Sequence, residues 1–200
     1  MTTLDLKQTQ ISSAIDLFSK GEINQALDAV QDLIKDYPNE PVLFNIRGAC
    51  YADLGQLDVA VTNYKEAITI KPDYAKAHFN LAGSLHDLGQ LETAVQSYQK
   101  TIEIEPNYAE AYNNLGNVFQ ELEQGDSAVQ SYKRALEIKP DYVAAQYSLG
   151  NAFMELGQLN KAVKSYKEAL KLKPDFVEAI NNLGITFFKL HQLDDAIRSY

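Results

Sequence analysis

Small and large apolar residues return along this chain at fixed positions, 34 residues apart, and the polar residues between them vary. Five prolines mark the period, at 38, 72, 106, 140 and 174, with only Pro41 outside the series. Taking each of the five as position 32 of a unit sets unit starts at 7, 41, 75, 109, 143 and 177. Position 20 is then alanine in every unit: Ala26, Ala60, Ala94, Ala128, Ala162 and Ala196. Position 8 is small throughout (Ala14, Gly48, Ala82, Gly116, Gly150, Gly184), and position 11 is large and apolar (Leu17, Tyr51, Leu85, Phe119, Phe153, Phe187). Position 24 is Tyr64, Tyr98, Tyr132, Tyr166 and Tyr200, with Val30 in the first unit. Small side chains let two helix axes approach, and large ones fill the space beside the contact.

The polar punctuation fits helices on both sides. Gly21, Gly55, Gly89 and Gly157 fall at position 15, where glycine takes the left-handed conformation that ends a helix. The period proline ends the second helix and biases the residue before it away from helix. Asn39, Asp73, Asn107, Asp141 and Asp175 follow the prolines and suit a turn or a helix start. Each unit reads as helix, tight turn, helix, tight turn. A period of this length means stacked copies of one element pair, with function on the surface that stacking creates.

The pattern resembles the tetratricopeptide repeat. Tyr112, Leu115, Gly116, Phe119, Ala128, Tyr132, Ala135 and Pro140 reproduce that family's signature within one unit. The likeness is strong over 41–200 and weaker over 7–40, where Ser13 and Val30 replace the usual leucine and aromatic, as a capping repeat would. The resemblance implies an all-α fold, a right-handed α-solenoid superhelix of helix pairs. The expected units are 1–40 (divergent, capping), 41–74, 75–108, 109–142, 143–176 and 177–200 (truncated). Ending at position 24 of a unit, the sequence reads as the N-terminal piece of a longer protein.

Composition narrows the function classes. Hydrophobic residues make up 46% and charged ones 22%, ordinary for a soluble domain. No apolar run is long enough to span a membrane, and the first residues lack the pattern of a secretory signal. Eighteen basic residues against 27 acidic ones give a net charge of −9, which argues against nucleic acid and anionic membranes as partners. One cysteine, Cys50, cannot form an internal disulfide and fits a reducing, cytoplasmic setting.

Catalytic chemistry finds no support. His78 and His86 lie eight apart, yet nothing completes a known ligand spacing, so packing or surface roles are expected and no metal or cofactor. Cys50, mid-helix among apolar residues, reads as a buried thiol. No phosphate-binding or nucleophile-elbow motif is present, so the chain is read as a binding protein and not as an enzyme.

In the family it resembles, the first helix of each unit lines a concave groove. Carried over, that face holds Asn80, Asn114, Asn182 and the interrupting Ser148 at position 6, and Asn117 and Asn151 at position 9. Asparagine is a mediocre helix former, so propensity does not explain the row. Its amide both donates and accepts, and such a row can pair with the backbone of an extended peptide whatever its side chains. The row is similar to the asparagine ladder of the O-linked N-acetylglucosamine transferases, notably in Ala111-Tyr112-Asn113-Asn114-Leu115-Gly116-Asn117. The alternative is that these amides brace neighbouring helices. Phe79, Tyr147, Met154 and Phe188 would add selectivity, and Asp53, Asp87, Glu110, Glu121, Glu155 and Glu178 would favour a neutral or basic ligand. The family's carboxylate clamp needs a lysine at position 5, which here is Ile11, Asn45, Phe79, Asn113, Tyr147 and Asn181, so that mode is rejected. The expected function is binding of an extended polypeptide. Two other readings stay open: the substrate-recruiting arm of a larger enzyme such as a glycosyltransferase, and self-assembly through the truncated last repeat.

Overall fold

The structure, a computed structural model, describes residues 3–199. Tyr200, expected to fill position 24 of the last unit, lies outside them. The described residues form twelve helices and no strand. They divide into two compact units, Met1–Pro106 and Asn107–Tyr200. The first holds α1 (Thr3–Ser19), α2 (Ile23–Asp36), α3 (Pro41–Asp53), α4 (Leu57–Ile70), α5 (Ala75–Asp87) and α6 (Leu91–Ile104). The second holds α7 (Ala109–Glu121), α8 (Gly125–Ile138), α9 (Val143–Glu155), α10 (Leu159–Leu172), α11 (Val177–Lys189) and α12 (Leu193–Ser199).

Within each unit the fold is a helical solenoid. Three-residue turns join α3 to α4, α5 to α6, α7 to α8 and α9 to α10, and each pair packs along its length. Successive first helices also touch (α1 with α3, α3 with α5, α7 with α9, α9 with α11). Second helices do not touch one another within either unit. The first helices are therefore the inner side of each stack, which is where the sequence put a binding surface.

The periodic alanines sit where the helices meet. Ala26, Ala60, Ala94, Ala128 and Ala162 have no accessible surface. Tyr98, Tyr132 and Tyr166 are the largest fully buried side chains. A Cβ built on Gly116 would stand 2.5 Å from the Tyr132 ring. The same contact is 2.6 Å for Gly48 on Tyr64 and 2.5 Å for Gly150 on Tyr166. In these three repeats glycine at position 8 leaves room for the tyrosine at position 24, a matter of space and not of dihedral angle, whereas the 75–108 repeat buries Tyr98 with Ala82 at position 8. Burial pushes the Tyr64, Tyr132 and Tyr166 phenols well above their ordinary range, since a phenolate there would lose its water.

Of the two roles expected for the Asn and Asp after each proline, turn or helix start, the structure gives the turn. The helix N-caps are Glu40, Tyr74, Tyr108, Tyr142 and Phe176, and none makes a side-chain cap bond. The Asn and Asp after each proline occupy the turn and do not cap a helix. Three turns are instead clipped by a lysine ammonium over the N-cap ring: Lys71 on Tyr74 at 5.6 Å, Lys139 on Tyr142 at 4.9 Å and Lys173 on Phe176 at 5.2 Å. Backbone bonds close the same turns, as in Tyr142 N–H to Lys139 O at 3.1 Å, with proline presetting the first corner. Pro41, outside the series, opens α3, where a missing N–H costs nothing.

At position 15 the turn persists even without glycine. Glu123 and His191 adopt φ of 58° and 59°, close to the 69° of Gly157. For a residue with a Cβ that conformation costs about 1–2 kcal/mol. Glu123→Gly is therefore expected to stabilise the chain by about 1 kcal/mol, read as a rise in the thermal unfolding midpoint. A midpoint that stays level or falls would show that the Glu123 side chain contributes as much as its backbone strain costs.

Candidate functional site

The amides on the first-helix face are half-buried and already engaged. In the first unit, Asn80 Nδ2 donates to Asn45 Oδ1 at 3.0 Å, one repeat back. Phe79 packs edge-on to Tyr98, centroids 5.8 Å apart. In the second unit, Asn182 Nδ2 donates to Tyr147 Oη at 3.0 Å and to Asn151 Oδ1 at 2.9 Å. The Tyr166 hydroxyl donates to the same Asn151 oxygen at 2.7 Å. Both lone-pair directions of that oxygen are thus used within the fold, so Asn151 has only its Nδ2 group to offer a ligand.

Asn117 is held in a similar way. Tyr132 Oη lies 2.8 Å from Asn117 Oδ1 and 2.5 Å from Gln120 Oε1. A phenol has one proton to give, so one of the two oxygens is served at a time, and the other amide is best satisfied with its NH₂ turned to the hydroxyl. Gln120 Nε2 in turn donates to Glu155 at 2.9 Å, tying α7 to α9. Burial is what makes these bonds matter, because the Tyr132 side chain has no accessible surface and its hydroxyl has no water to replace the amides.

Asn113 shows what happens where the row breaks. Its Nδ2 donates to Asn114 Oδ1 at 3.2 Å, but its own Oδ1 is buried without a partner. In the first unit the matching oxygen, Asn45 Oδ1, receives its bond from Asn80, 35 residues on. The residue 35 beyond Asn113 is Ser148, whose shorter side chain carries no amide donor at that register. Sequence reading took Ser148 as a gap in a ligand ladder; it is equally a gap in the bracing between α7 and α9.

The expected selectivity residues divide. Tyr147 leans on Tyr166 and Phe176, centroids 5.9 and 4.9 Å away, and Met154 Sδ lies 3.6 Å from the Thr186 oxygen, so both pack against the core cluster of the second unit. Phe188 is 65% exposed and stands apart from the amides. It lines an apolar hollow of about 390 Å³ with Ile185, Leu193 and Ile197. Of the acids on this face, Glu110 lies 3.5 Å from Lys139, while Glu121 and Glu155 are exposed. His78 Nε2 lies 2.9 Å from Pro72 O, which gives it a local structural partner. Cys50 is fully buried, and burial, with Asp53 nearby, pushes its thiol up to about 11. Among the described residues no group of His, Cys, Asp or Glu is gathered as a metal site, and no helix is long and apolar enough to cross a membrane.

The bracing pattern carries a test. Ser148→Asn supplies a donor at the register that Asn80 occupies in the first unit. It is expected to satisfy Asn113 Oδ1 and raise stability by about 1 kcal/mol in chemical denaturation. An unchanged or lower denaturation midpoint would mean that the Asn113 oxygen is out of reach of position 148.

Known proteins match this chain along most of its length. The sequence profile described as TPR repeat matches residues 48–89, 83–123, 121–157 and 150–191. The Peroxisomal targeting signal receptor of Saccharomyces cerevisiae is 25% identical over 84 residues, 42% of this chain and 14% of that protein. The Hsp70-Hsp90 organizing protein 2 of Arabidopsis thaliana is 37% identical over 59 residues, 30% of this chain and 10% of that protein. The chain therefore corresponds to a small part of those relatives. Among solved structures, MamA superposes with a TM-score of 0.75 at 26% identity, covering 82% of this chain and 96% of that one.

Proposed function

The chain belongs to the TPR repeat family, and from that premise we propose that it is a protein–protein interaction module whose first-helix face holds an extended polypeptide. The observation that carries this reading is the fixed amide network of Asn182, Asn151, Tyr166 and Tyr147. Polar groups already locked by the fold lose little freedom when a ligand arrives, so their contacts go further toward affinity. The relatives' names point the same way: one is a receptor for a targeting signal, another an organizer of two other proteins.

The ligand would be read through its backbone. With its oxygen engaged, Asn151 acts chiefly as a donor toward peptide carbonyls, and Asn117 offers whichever end of its amide the Tyr132 hydroxyl does not use. Asn114 and, in the first unit, Asn80 extend the same chemistry, while Asn182, whose two N–H groups are spent on Tyr147 and Asn151, offers its oxygen to a peptide N–H, as in the asparagine ladder of the glycosyltransferases. Exposed Glu121, Glu155 and Glu178 favour a neutral or basic peptide. Tyr147, Met154 and Phe79 present only their uncovered edges, so they shape the surface more than they form pockets. A reducing compartment such as the cytoplasm suits the buried free thiol. The same module would serve as the recruiting arm of a larger enzyme. The hollow lined by Phe188, Leu193 and Ile197 supports a second reading, association with an apolar helix of another copy.

The test is a titration of unrelated extended peptides against the parent and an Asn114→Ala, Asn117→Ala variant. Two lost hydrogen bonds, each about 0.5–1.5 kcal/mol, are expected to weaken every peptide about 5-fold or more, and to a similar extent. Binding equal to that of the parent would assign the amides to bracing alone.

A further inference from the structure

The opposite side of the second unit carries chemistry that the reading above leaves unused. Helix α10 has four lysines, Lys161, Lys164, Lys167 and Lys171, against one acid, Glu168, in a chain of net charge −9. Between α8, α9 and α10 lies a cavity of about 400 Å³. Its apolar floor is Leu149 and Phe153, each 6% exposed, and Lys133, Lys161 and Lys164 stand around it with Gln146. The Lys133 and Lys161 ammonium groups, from two different helices, lie 5.8 and 5.4 Å from the Phe153 ring centre.

Among the described residues these three ammonium groups form no ion pair with a carboxylate. Of the acids of α8 and α10, Glu137 pairs with Arg134 at 2.8 Å and Glu168 with Lys171 at 2.7 Å. Besides lying over the Phe153 ring, the Lys161 ammonium donates to the neutral Gln158 amide oxygen at 2.7 Å. The repeat supplies the cavity, and the sequence of this one repeat supplies its charge. At the same register in the first unit a cavity of about 470 Å³ is lined by Lys65, Lys100, His78 and Leu81, but there Lys100 already pairs with Glu103 at 2.9 Å.

We propose that the cavity between α8, α9 and α10 binds an acidic peptide segment. One apolar side chain of the ligand seats on Leu149 and Phe153, and carboxylates beside it pair with Lys133, Lys161 and Lys164. The apolar floor distinguishes this from a general attraction for anions, since a bare phosphate would gain nothing from it. The surrounding negative charge disfavours nucleic acid, which needs a long positive track. The site is separate from the first-helix face and takes a ligand of the opposite charge.

The test uses the full chain and a fluorescein-labelled peptide, Gly-Glu-Asp-Leu-Asp-Glu-Gly, followed by anisotropy at low and moderate salt. Saturable binding that weakens with salt is expected. Lys161→Gln with Lys164→Gln should weaken it about 5-fold or more, while helical circular dichroism stays that of the parent. Glycine in place of the peptide's leucine should weaken it about tenfold. Lys65→Gln with Lys100→Gln, and Asn114→Ala with Asn117→Ala, should leave it within about twofold. The proposal is overturned by an absence of saturation, by indifference to the α10 lysines, or by equal binding of the glycine peptide. Loss of binding in the asparagine variant would place the peptide on the first-helix face instead. Tighter binding of a short oligothymidylate would make the lysines a phosphate site.

Discussion

The ring of Tyr132 occupies the space that a side chain on Gly116 would need, 2.5 Å from where its Cβ would stand. Tyr64 on Gly48 and Tyr166 on Gly150 repeat the contact. Beside it, a fully buried alanine at position 20 lets the partner helix come close. A helix pair built this way has a narrow seam and a buried phenol at its heart. That phenol must find a hydrogen-bond partner, because burial denies it water. It reaches the amides of the first helix, Asn117 from Tyr132 and Asn151 from Tyr166. The packing contact and the polar face are thus one arrangement.

This linkage changes how the asparagine row is to be understood. Bracing and binding are not exclusive, because an amide has two ends. Internal bonds occupy the side-chain oxygen of Asn151 and fix its orientation, which leaves a donor edge in a set direction. The bonds between repeats, Asn80 to Asn45 and Asn182 to Tyr147, use the same 35-residue step. Where Ser148 breaks that step, the Asn113 oxygen is left buried and unpaired. Stacking and recognition therefore draw on the same side chains.

Much of the fold was legible in the sequence because each contact recurs at a fixed position. The prolines, Ala128 and its copies, and the tyrosines at position 24 placed the helices, and the first helices begin at the unit starts 41, 75, 109, 143 and 177. Other features depend on geometry that no single position states. Glu123 and His191 take the left-handed turn because their neighbours impose it, against the preference of their own side chains. The lysine–aromatic clips at Lys139–Tyr142 and Lys173–Phe176 were readable as a repeated Lys-Pro-Asp-aromatic run but were hidden behind the proline signal. Amide partners across repeats depend on rotamers, so Asn113 and Asn151 looked alike as letters and differ in their bonding. The α10 lysines were masked by a net charge that averages over the whole chain.

The account rests most heavily on the seam, and Ala128→Leu tests it directly. The variant adds a branched side chain where no accessible surface exists, while Gln130→Leu, on the exposed side of the same helix, serves as its control. Thermal and chemical denaturation are expected to show Ala128→Leu destabilised by about 1–3 kcal/mol and the control within about 0.5 kcal/mol of the parent. Equal stability of Ala128→Leu and the parent would contradict the close approach of the two helices, and with it the placement of the tyrosines and the amides they hold.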